Sequence, residues 1–162
     1  MFAVWNFRLT KLLVEVGANV NMIDIVQESP LHMASRRSNS DVVELLLEHG
    51  ADLDTANDSG WKPLQSACFH INPVVVDSLL RHNADIDILN NDGETALQIA
   101  LSRPPASPNR VAVLQLMATC APQMRLEASS ADWIRLAQNE RSRPQMALGF
   151  LDTARQRRRR QH

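Results

Sequence analysis

The chain has no tyrosine, only two cysteines and five glycines in 162 residues, and its aromatics amount to 4%. Each scarcity excludes something. Cys68 and Cys120 are too few and too far apart for a disulfide-built scaffold or a cysteine zinc cluster. Both sit among apolar neighbours, so both are expected to be small buried thiols in a reducing compartment. There is no run of about 18 apolar residues, so no membrane-spanning helix is expected. The first residues lack the charged, apolar and small-residue series of a signal peptide. There is no glycine-rich phosphate loop, no nucleophile elbow and no Cys/His metal spacing, so the expectation is a non-enzyme without cofactor or metal. Cys68 and His70 are two apart, which on a helix points them to different faces and speaks against a thiol–imidazole dyad.

What is present is an uneven charge distribution. Residues 1–124 carry 8 Lys/Arg against 14 Asp/Glu, a balance of −6, and residues 125–162 carry 9 against 4, a balance of +5. An acidic body therefore precedes a basic tail.

The chain also repeats itself. Shifted by thirty-three residues, "SPLHMA" at 29–34 falls on "KPLQSA" at 62–67 and then on "TALQIA" at 95–100. "ELLLEHGADLD" at 44–54 falls on "DSLLRHNADID" at 77–87 and, backward, on "KLLVEVGANVN" at 11–21. No gap is needed up to about residue 102. A period of this size signals stacked helical units. Ser29 can cap a helix that Pro30 starts without losing a needed N–H. Ala34, Ala67 and Ala100 share one phase, which allows neighbouring helices to approach closely. Val42, Leu45 and Leu46 make the apolar face of a second helix, as do Val75, Val76 and Leu79 one period on. Gly50 and Asn83 stand where that helix must end in a left-handed residue. Asp52, Asp54, Asp85 and Asp87 recur with the period and so are turn residues, not a carboxylate site.

The length of this unit and its T-P-L-H-like core resemble the ankyrin repeat, over roughly residues 1–118. The resemblance implies an all-α solenoid of helix pairs with β-hairpin tips. The expected organisation is an array over 1–120, with a half unit at 1–21 and units at 24–56, 57–89 and 90–120. A helical cap and basic tail would follow at 121–162. Met1 aligns with Ala34, so the chain is expected to start inside a first helix, as a piece of a longer array would, and this edge should fray. The resemblance also implies that His32 bonds within its turn, with Gln65 and Gln98 in its place later. Asn21 lies where some ankyrin repeats are hydroxylated, though Asn19 replaces the acidic residue usual two places before it.

The implied function is non-enzymatic protein binding, of scaffold or adaptor type, on a concave surface of hairpins and first helices. The partner is another protein; a small-molecule substrate and membrane insertion are not expected, nor is nucleic acid. The expected locations are the cytoplasm and the nucleus. Trp61 stands at the phase of Glu28 and Glu94, beside Gly60 in a turn, where no core residue is due. Ile25 and Val26 share the tip phases, with Ser59 and Asn91. Phe69 and His70 align with Arg36 and Arg37 at the exposed end of the first helix. The expected surface is thus Ile25, Val26, Glu28, Arg36, Arg37, Ser59, Trp61, Phe69, His70, Asn91 and Glu94: an apolar strip with a basic pair at one edge, in which Trp61 is either an anchor or a ring lying flat over the next hairpin.

Two departures complete the pattern. "LSRPPASPNR" at 101–110 replaces a tight turn with a proline-rich insertion, and the next helix, "VAVLQLMA", is displaced by about four residues. Beyond 120 the period stops. Ser129 with Asp132 forms a helix-starting arrangement, and Ala147, Phe150, Leu151 and Ala154 make one helical face, as expected of a cap. Pro144, Leu148 and Leu151 give a loose echo of a SOCS box, the element that recruits ubiquitin-ligase machinery, but Asp152 replaces its cysteine. Arg157, Arg158, Arg159 and Arg160 form a basic run with three readings: a solvated helix end, an import signal or a nucleic-acid contact.

Overall fold

The computed structural model describes residues 6–104 and 108–120. Among the described residues seven helices follow one another: α1 (Phe7–Glu15), α2 (Pro30–Arg36), α3 (Ser40–Glu48), α4 (Pro63–Phe69), α5 (Pro73–Arg81), α6 (Ala96–Ser102) and α7 (Pro108–Cys120). Helices α2, α4 and α6 stack as one row; α1, α3, α5 and α7 stack as a second. Each first-row helix also packs on the second-row helix that follows it. This is the all-α solenoid of helix pairs.

The first row is started by local chemistry. Ser29 and Thr95 accept hydrogen bonds from the backbone N–H three residues on, and Pro30 and Pro63 occupy first helical positions. Ala34, Ala67 and Ala100 are fully buried. Small side chains at this phase suit close stacking of the first-row helices. Leu31 and Leu64 on the first row and Leu46 and Leu79 on the second fill the space between rows. Each such side chain contributes about 1.5–3 kcal/mol by leaving water. Second-row helices end as the period requires: Gly17, Gly50 and Asn83 all have positive φ, at 88°, 79° and 65°.

The loops between units repeat as closely as the helices. In each hairpin one Asp or Asn side chain accepts two backbone N–H groups: Asp24 from Val26 and Glu28, Asn57 from Ser59 and Trp61, Asn90 from Asp92 and Glu94. Single bonds tie neighbouring hairpins, from Asp58 N–H to Val26 O and from Asn91 N–H to Ser59 O, both 3.2 Å. The expected β-hairpin tips are therefore side-chain-organised turns joined by isolated bonds. Among the described residues there is no β-strand, because each hairpin makes only one backbone bond to the next and no ladder can build.

Two expectations are corrected. Cys68 is buried, but Cys120 is exposed. Cys120 is the last residue of α7, one position beyond the residue that matches the end of α5. The displacement of α7 is five residues, since Val113, Leu114 and Met117 take the buried places of Val75, Val76 and Leu79. Cap, SOCS-box echo and basic run, including Arg157 to Arg160, lie outside the described residues, as do residues 1–5.

Candidate partner-binding surface

The backbone at position 61 is wholly used by the scaffold. Trp61 N–H donates to Asn57 Oδ1 at 2.9 Å, and Trp61 O accepts from Asn57 N–H at 3.0 Å. The same carbonyl is 2.9 Å from His32 Nε2. His32 Nδ1 lies 3.2 Å from Ser29 N and so accepts its hydrogen, which leaves Nε2 as the donor to Trp61 O. His32 is buried, and desolvation holds its pKa below the ordinary value, with the bond to Trp61 O opposing. Gln65 takes over one period on. Its Oε1 accepts Lys62 N–H at 2.8 Å, and its Nε2 donates to Ile88 O and Glu94 O at 3.0 Å each. His32 and Gln65 are thus pins between units. In the last described unit Gln98 Oε1 accepts from Thr95 N–H in the same way.

The side chain of Trp61 is left to a different task. It meets Phe69 edge-on, with ring centroids 5.1 Å apart and planes at 68°. One period earlier the same slot holds Glu28 and Arg36, an ion pair of 3.4 Å. One period later it holds Glu94 and Ser102, which make no described bond to each other; Glu94 instead receives Asn90 Nδ2 at 3.4 Å. A single place on the scaffold therefore accepts a charged pair, an aromatic pair or neither. Phe69 also touches His70, and the Arg103 guanidinium lies over its ring, 4.1 Å from the centroid. His70 is held below its ordinary pKa by desolvation first, then by Arg36, Arg103 and Arg37, with Glu28 opposing.

Trp61, Phe69, His70, Arg36 and Glu28 come together: Arg36 and Phe69 on α2 and α4, His70 at the end of α4, and Glu28 and Trp61 just before the two helix starts. The remaining expected site residues are elsewhere or otherwise engaged. Ile25 is 96% exposed at the first hairpin tip and Val26 is half covered. Ser59 and Asn91 are exposed, but they tie hairpins through their backbones, and Asn91 Nδ2 donates to Asp58 O at 3.0 Å. Arg37 is exposed at the end of α2.

Sequence reading missed Arg103. It ends α6 as Arg37 ends α2 and His70 ends α4, so the thirty-three-residue period places it in their column. The proline-rich insertion that follows masked that signal. It missed Arg110 too, which is buried and donates to Ala100 O and Leu101 O at 3.2 and 2.9 Å, closing the carbonyl end of α6. Asn21 is a further tie: its Nδ2 donates to Gly50 O and its Oδ1 accepts Asp52 N–H. Burial pushes the Cys68 thiol up to about 12, so it is no nucleophile. Among the described residues no group of three His, Cys, Asp or Glu is placed to hold a metal, and no helix is long and apolar enough to cross a membrane.

Rows of short helix pairs pinned by His or Gln, with a hairpin between units, define a solenoid repeat protein. The particular repeat is now identified: a family model described as ankyrin repeats, in three copies, matches residues 1–89, more than half of the chain. The chain belongs to the ankyrin-repeat family. No curated protein matches it. Ankyrin repeats are generally protein–protein interaction modules, and typically not enzymes.

Proposed function

We propose that this chain is a non-enzymatic scaffold or adaptor that holds a protein partner on the face formed by its hairpins and first-row helices, with Trp61 as anchor. The carrying observation is the slot comparison. The unit before places Glu28 and Arg36 where this one places Trp61 and Phe69. Stacking does not require aromatics there, so their presence on a half-covered surface answers another demand. Trp is the residue most used for anchoring partners, because it offers a large rigid area at low entropy cost.

The test is a swap. Trp61→Glu with Phe69→Arg rebuilds the ion pair of the preceding unit in the next one. The swapped chain should keep its helicity and lose only about 0.5–1.5 kcal/mol of stability, the value of an aromatic pair. It should no longer capture the cellular protein that the unaltered chain captures. Capture at equal affinity by both chains would show that Trp61 serves the fold alone.

A further inference from the structure

We infer that the surface around Trp61 is built for an acidic peptide segment carrying an apolar or aromatic side chain. This rests on the binding reading above and narrows it to a partner chemistry. Three helix ends one period apart bring Arg37, His70 and Arg103 into one column. Arg36 lies beside them, and Phe69 and Trp61 lie between. Arg103 covers Phe69, so one cation and the aromatic pair form a single contact surface. The local balance is three guanidinium groups against Glu28, or +2 with His70 neutral. The surrounding body, residues 1–124, is at −6.

A positive island on a negative body selects for a compact anion, because charge beyond the island is repelled. Nucleic acid fits less well. Its phosphates would run past the island toward the exposed Asp58 and Asp92 on the hairpins, which would repel them. The chain's own Arg-rich end is also unsuited, since like charges would meet. An acidic peptide can place one or two carboxylates on Arg37 and Arg103, bidentately, and an apolar side chain on Trp61. Guanidinium already stacked on a ring loses little freedom on binding.

Selection of a random peptide phage library on the full chain tests this. Enriched peptides should be rich in Asp and Glu around an apolar or aromatic residue. Synthetic versions should bind about tenfold more weakly to Arg37→Glu/Arg103→Glu, and more weakly as salt rises from 50 to 300 mM, as partly exposed charge pairs do. Arg37→Gln/Arg103→Gln, together with circular dichroism, guards against a fold defect and should show a smaller loss. Three outcomes overturn the inference. Enriched peptides without acidic excess that still depend on Trp61 would sink it while leaving the binding reading intact. Acidic peptides that bind the double variant equally well are held by the Arg-rich end instead. Tighter, Arg103-dependent binding of a dT12 oligonucleotide would assign the island to nucleic acid. An absence of enrichment also counts against it.

Discussion

Helix α1 and helix α3 occupy the same phase of the solenoid and have opposite fates. Leu9, Leu12 and Leu13 of α1 are 45%, 56% and 39% exposed, whereas Val42, Leu45 and Leu46, their counterparts thirty-three residues later, are buried. Side chains of one kind at one phase differ because α3 packs closely on α1, α2 and α5, while the close packing of α1 among the described helices is on α3. Burial in a solenoid is a property of neighbours, not of the residue. Stability should accordingly be lower in α1 than in α3, which has close neighbours on both sides.

The comparison breaks first on truncations. Leu46→Ala should destabilise by about 2–5 kcal/mol, and Leu13→Ala by less than about 1 kcal/mol. Denaturant melts of both variants measure this; equal losses would mean that α1 is as well supported as α3. Hydrogen exchange sharpens the same contrast. Amides of residues 9–16 should open at least about 2 kcal/mol more easily than those of residues 64–80. Equal protection would place a cover over the apolar face of α1.

The hairpins give a third, smaller contrast. Gly60 has φ 73°, and a Cβ there would come within 2.8 Å of the Asn91 backbone nitrogen in the next hairpin. Gly93, at φ 76° and one period on, has nothing within 4 Å. Gly93→Ala should cost about 1–2 kcal/mol for its left-handed backbone alone. Gly60→Ala should cost more than that, because two hairpins must part. Similar losses would show that the hairpin tie is soft.

The smallest expected effect is a pH dependence. His32 is buried with a lowered pKa. The unfolded chain therefore binds the proton more readily, and the stability from His32 is present above the unfolded value of about 6.5 and lost as pH falls below it. His32→Gln copies the pin that Gln65 makes between later units. The variant should melt normally at pH 7.5 and fall less than the parent chain at pH 5. Parallel declines would move the acid sensitivity to other groups.

Much of this was legible beforehand for a physical reason. A repeat writes its rules several times, so Ala34, Ala67 and Ala100, or Gly50 and Asn83, confirm one another without coordinates. The Asp24, Asn57 and Asn90 column was equally present but shows two residue types, and its meaning appears only when each side chain is seen to hold two N–H groups. The aromatic site was half legible. Phase alone set Trp61 outside the core, yet phase could not say what its ring would touch.

The sequence by itself determined the period, the helix starts and stops, the residues that face the core and the family. These follow from local propensities and from apolar spacing, which act within a unit or between identical units. Only the tertiary structure decided that Trp61 meets Phe69, that Arg103 closes over Phe69, and that Arg110 seals α6. Those contacts depend on which side chains stacking brings together from different units and, for Arg110, on where a side chain lands after a loop that breaks the period; no local rule fixes either.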